Sequence, residues 1–184
     1  MNKALLLALA LVAIPPVSVE AQEEKDLERT RALAEQGNAF AQSNLAFMYY
    51  TGTGVPRDAA EAVRWYRLAA EQGDARAQYA LGYSYANGQG LPEDDAEAVR
   101  WYRLAAEQGD ARAQSNLGYH YANGEGVPED LVLAYMWYNL AAAQGHDLAQ
   151  RNKALTEQRM TRAQINEAQR LSREWFEAHP PDGN

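Results

Sequence analysis

The stretch AEAVRWYRLAAEQGDARAQ occupies residues 60–78 and returns without a change at residues 96–114. The interval is 36 residues, and it extends well beyond the copied segment. Trp65, Trp101 and Trp137 fall on it, as do Gly37, Gly73, Gly109 and Gly145. So do three loop tripeptides that begin at Gly52, Gly88 and Gly124 and end at Gly54, Gly90 and Gly126. A fixed period of this size marks an array of stacked supersecondary units, because one unit alone cannot bury its apolar face.

Each period resolves into two helices. Gly73 suits the left-handed residue that closes a helix, and Asp74 suits the cap that opens the next. Ala77, Leu81 and Tyr85 then recur at helical spacing as one apolar stripe. Residues 87–92 are rich in turn formers and end that helix. Asp94 with Glu97, and Asp58 with Glu61, have the spacing of a capping box ahead of the second helix. Ala98, Trp101, Tyr102 and Ala105 give that helix a buried face, small residues alternating with rings.

These residues carry a family resemblance. The pattern A-x-x-x-L-G-x-x-Y-x-x-G-x-G-V/L-P-x-D, followed by A-x-x-W-Y-x-x-A-A-x-x-G, resembles the Sel-one-like repeat, a relative of the tetratricopeptide repeat. Ala46 departs from it where Gly82 and Gly118 stand, and residues 131–133 replace the acidic start of the third second-helix. The resemblance implies an α/α superhelix that scaffolds protein complexes. The expected fold is therefore an all-α solenoid of about nine helices. Repeats cover 37–72, 73–108 and 109–144, with a capping helix over 22–36, a capping helix pair over 145–178 and a disordered tail over 179–184.

The first 21 residues stand apart. Lys3 supplies a positive charge, residues 4–14 are almost purely apolar, and Pro15 and Pro16 break the run. Val19 and Ala21 place small side chains at a signal-peptidase site. We expect cleavage after Ala21 and a mature chain that is periplasmic or secreted. No later apolar run approaches the ~20 residues of a membrane span, so no membrane insertion is expected after cleavage.

The chain carries 17 Lys and Arg against 25 Asp and Glu, a net charge of −8. A distributed acidic excess argues against nucleic acid, whose phosphates require a basic stripe. With no cysteine, disulfides, thiolate metal sites and a cysteine nucleophile are excluded. His120, His146 and His179 show no metal-ligand spacing, and no G-x-S-x-G elbow is present. The G-x-G loops lack the third glycine, the preceding strand and the P-loop lysine of phosphate sites. Glu61, Glu71, Glu97 and Glu107 recur beside Arg64, Arg67, Arg100 and Arg103, the pattern of a solvated face with i, i+3 or i+4 pairs. No catalytic residue, metal or cofactor is predicted. Some cysteine-rich secreted members of the family have been credited with penicillin binding or hydrolysis, and this chain lacks the cysteines that distinguish them.

In solenoids of this kind the first helices line a concave groove. In register they present Phe40, Arg76 and Arg112; Ser43, Tyr79 and Ser115; Phe47, Tyr83 and Tyr119; and Thr51, Asn87 and Asn123. Rings, arginines and amides together suit an unknown protein or extended peptide. The competing assignment packs Tyr83 and Tyr119 between units as core. A purely architectural role in an envelope assembly is the alternative function.

Overall fold

The computed structural model describes residues 19–180. Most of the expected leader, residues 1–18, and the last four residues of the expected tail lie outside the described residues. Among the described residues there are nine helices and no strand: α1 (Val19–Glu35), α2 (Ala39–Thr51), α3 (Ala59–Glu71), α4 (Ala75–Ala86), α5 (Asp95–Glu107), α6 (Ala111–Asn123), α7 (Leu131–Ala143), α8 (Asp147–Glu157) and α9 (Arg162–Ala178). Helices α2, α4 and α6 are the first helices of three units, and α3, α5 and α7 the second helices.

Local chemistry sets these bounds. Asn38, Asp74 and Asp110 cap the first helices, and Asp58, Asp94 and Asp130 the second, each accepting a backbone N–H from the first turn. Gly73 has φ +93°, the left-handed geometry that turns one helix into the next. The expected capping boxes at Asp58 and Asp94 form by half. Glu97 donates its backbone N–H to Asp94, but its carboxylate accepts from Trp101 Nε1 (3.1 Å) and Arg100 (2.9 Å). The Asp94 N–H goes to the Tyr85 carbonyl instead. A reciprocal box is present at Thr161 and Gln164, where α9 begins.

Units are joined by buried glutamines at the same 36-residue spacing. Gln42, Gln78 and Gln114 donate to the carbonyls of Ala34, Ala70 and Ala106 in the preceding helix, at 3.1, 3.2 and 3.1 Å. Each accepts in turn from Gln72, Gln108 or Gln144 at the end of the following second helix, at 2.7, 2.7 and 2.9 Å. This satisfies both ends of a buried amide, which would otherwise destabilise the stack. The bond from Gln42 to Ala34 shows that α1 takes the place of a second helix.

Within a unit, helices approach closely where glycine stands. A Cβ on Gly82 would lie 2.8 Å from the Tyr102 ring, and one on Gly118 would lie 2.9 Å from the Tyr138 ring. Arg64 and Arg100 pair with Glu61 and Glu97 as expected. Arg67 and Arg103 depart from the same-helix pairing. They donate to the hydroxyls of Tyr85 and Tyr121 on the following first helix, at 2.9 and 2.7 Å. At the end of the array, α9 packs on α7 through Leu171 and Trp175, and Arg170 pairs with Glu167 and Glu174 on its outer side. His179 stays attached there, its ring stacked on Trp175 at 4.3 Å.

Candidate functional site

The first helices open a groove of about 580 Å³ across α2, α4 and the start of α6. Six residues singled out in sequence line it: Ser43 and Phe47 from α2, Arg76, Tyr79 and Tyr83 from α4, and Arg112 from α6. Phe47 is 57% exposed, a ring left in solvent by an otherwise well-packed helix. Tyr83 is half-buried and packs against the core around α5 and α7, with its ring 6.4 Å from that of Tyr79. It is thus both groove wall and inter-unit packing.

The two arginines are held by stacking. The Arg76 guanidinium lies 4.6 Å over the Phe40 ring, and that of Arg112 lies 4.2 Å over Tyr79. Stacking orients a guanidinium while leaving its in-plane donors available. Arg112 gives its Nε and Nη2 edge to Asp110 at 3.3 and 2.7 Å, and this pairing holds its guanidinium above the ordinary arginine pKa. Arg76 is held more loosely, 3.6 Å from Asp74.

Four further sequence candidates lie elsewhere. Phe40, 60% exposed, borders an adjoining depression of about 370 Å³ together with Leu33 and Asn44. Tyr119 is 46% exposed but sits outside the groove, its hydroxyl 3.3 Å from Glu125. Asn87 and Asn123 do not line it, because their amides bond the Tyr83 and Tyr119 carbonyls one turn back, at 2.8 and 2.9 Å. Helix ends draw in nearby amides to satisfy their last carbonyls.

Several groove residues were not anticipated: Asn44, Tyr50, Tyr66, Ala80 and Ser84. Tyr66 is 6% exposed, and burial first, then Tyr50, pushes its hydroxyl above the ordinary tyrosine range, with Arg76 and Arg112 pulling the other way. The available signal was departure from the repeat. Tyr50 stands where later units carry Ala86 and Ala122, and Ala80 stands where they carry Asn116 and Asn152.

A second cluster also escapes sequence inspection, because its members come from three segments. His120 is buried, its Nδ1 3.1 Å from the Glu125 carbonyl and 4.0 Å from an Asp95 carboxylate oxygen. With that nitrogen bonded to backbone and the Tyr102 and Tyr119 rings beside it, His120 is a packed, locally bonded histidine. His146 caps α8 by accepting the Ala149 N–H.

Comparison with known proteins follows the same period. Residues 39–74, 75–110 and 111–146 each match the Sel1 repeat, framed two residues later than the glycine ruler. No curated protein matches the chain in sequence. Among solved structures, a Sel1 repeat protein from Oxalobacter formigenes is 42% identical with a TM-score of 0.65, over 71% of this chain and 98% of that one. A protective antigen of uropathogenic Escherichia coli strains, displaying an SLR fold, is 32% identical with a TM-score of 0.65, over 86% of this chain. The match spans 42% of the antigen's own length. With three matched repeats over more than half its length and two such structural relatives, the chain belongs to the Sel1 repeat family, whose members generally serve as protein-interaction scaffolds.

Proposed function

We propose that this protein is an exported scaffold that holds an extended segment of another protein in the groove across α2, α4 and α6. The solvent-facing ring of Phe47 beside two stacked arginines supports this assignment above all. A ring presented to water beside pre-oriented charge loses little side-chain entropy on binding and gains contact area, the features of an interface hot spot. The open amphipathic cleft favours binding over a purely architectural role, which needs no such cleft.

A photo-activatable phenylalanine at position 47 tests the groove, with the same residue at position 68 as control. Leu68 lies in α3 and is also solvent-exposed. Adducts in the native host from position 47 and not from position 68 support groove binding. Equal labelling at both, or none at 47, refutes it. Export rests on the leader pattern of residues 1–21. Sequencing the mature protein is expected to begin at Gln22, and a chain still starting at Met1 or Asn2 contradicts export.

A further inference from the structure

The identity between units stops abruptly. Residues 60–78 and 96–114 agree throughout, but the next two positions read Tyr79 and Ala80 in one unit, Ser115 and Asn116 in the other. Asn116 stands beside Tyr102 of the preceding second helix and acts against the upward push of burial on its hydroxyl, and Asn152 does the same for Tyr138. Tyr66 holds the same place in α3, and the residue in position to serve it is Ala80. Among the described residues no side chain hydrogen-bonds the Tyr66 hydroxyl, and alanine in place of asparagine leaves open space at that point in the groove wall.

The charge around this opening is unlike the rest of the molecule. On a chain of net charge −8, the groove lining includes two arginines and no carboxylate. The Arg76 guanidinium makes no hydrogen bond among the described residues, only the looser pairing with Asp74, and the Arg112 Nη1 makes none there beyond the edge given to Asp110. Asp74 and Asp110 are occupied as caps of α4 and α6, where the helix N-terminus offsets part of their charge. The donors that remain face an apolar, ring-lined cleft, where a charge-assisted hydrogen bond is strongest.

Resting on the groove-binding function above, we infer that the cleft left by Ala80 takes the carboxylate of an aspartate or glutamate side chain within the bound segment. Arg76 and Arg112 hold it from either side, and the Tyr66 hydroxyl donates to it. The acceptor is an internal side chain and not a chain end. Asn44 lines both the groove and the depression beside Phe40, so a bound segment has room to continue past the site.

A phage-displayed random dodecapeptide library, selected on the full mature chain, tests this. Peptides whose binding is lost on Phe47→Ala establish groove occupancy. If none is found, the groove assignment itself fails. Among groove binders, Asp or Glu is expected at one position in at least about fivefold excess over the input library. Replacing that residue by Asn or Gln in a synthetic copy should weaken binding about tenfold. Ala80→Asn, which restores the residue of the neighbouring unit, should remove the preference with the melting temperature kept. Arg76→Gln with Arg112→Gln should do the same if Ala80→Asn folds poorly. Groove binders without an acidic position overturn the inference and leave the groove intact. So does acid preference that survives both variants, or affinity that requires a free C-terminal carboxylate over its amide.

Discussion

Gly54, Gly90 and Gly126 occupy one register position and share one left-handed conformation, with φ of +72°, +78° and +68°. Alanine at any of them meets the same backbone penalty, about 1–2 kcal/mol. Their surroundings differ. A Cβ on Gly90 would run into the Ala59 carbonyl and lie 2.9 Å from the Ala60 nitrogen. A Cβ on Gly126 would meet the Asp95 carbonyl and lie 2.7 Å from the Ala96 nitrogen. These are backbone atoms at the start of the previous unit's second helix, so relief requires the units to separate. The Cβ on Gly54 meets only Met48 Cε at 3.3 Å, the mobile end of a flexible side chain. Overpacking against rigid structure adds about 1–3 kcal/mol. Gly54→Ala should therefore cost about 1–2 kcal/mol, and Gly90→Ala and Gly126→Ala about 2–5 kcal/mol each. Urea unfolding of the three variants, followed by circular dichroism, measures the difference. Equal losses at all three positions, or the greatest loss at Gly54, would refute the view that these loops seat one unit on the next.

Gln78→Ala removes two hydrogen bonds, but the Ala70 carbonyl keeps the Gly73 N–H and the Gln108 amide keeps the Gly73 carbonyl, so the loss should be about 1–2 kcal/mol. A double-mutant cycle with Gln108→Ala should give coupling of about 0.5 kcal/mol or more, and strict additivity would show the pair to be independent. Phe47→Ala should leave stability within about 0.5 kcal/mol, whereas the half-buried Tyr83→Ala should lose about 2 kcal/mol; thermal melts showing the reverse order would misplace both rings. Burial pushes the Tyr138 hydroxyl up to about 12, against the pull of Asn152. Between pH 10 and 12 the unfolded chain releases this proton while the folded chain keeps it, so stability should fall as pH rises through that window. Tyr66 and Tyr102 are shifted in the same direction. Absorbance titration at alkaline pH should therefore resolve a late fraction, and all 11 tyrosines ionising together near pH 10 would contradict it.

Repetition made the fold legible. Period, helix pairs and capping residues all follow from local spacing, and a helix's cap and stripe depend on residues within a few positions of each other. The same locality explains the misjudged details. Glu61 and Glu97 have capping-box spacing, yet tryptophan and arginine side chains one turn on compete for their carboxylates. Arg67 and Arg103 have carboxylates on their own helix, yet a tyrosine hydroxyl 18 residues away is placed to receive them. Asn87 and Asn123 belong to the right helices for a groove, but the carbonyls those helices leave open claim their amides.

The chain's order of residues alone determined that there would be a stack of helical hairpins with rings and arginines along the first helices, because period and pattern are local properties. Only the tertiary structure decided which of those side chains share a cleft. Tyr66 follows the repeat and Ala80 departs from it, but neither fact says what the side chain faces, and the two become a groove wall only when α3 and α4 are set side by side. Exposure and apposition are properties of neighbours distant along the chain, and packing of whole units brings them together.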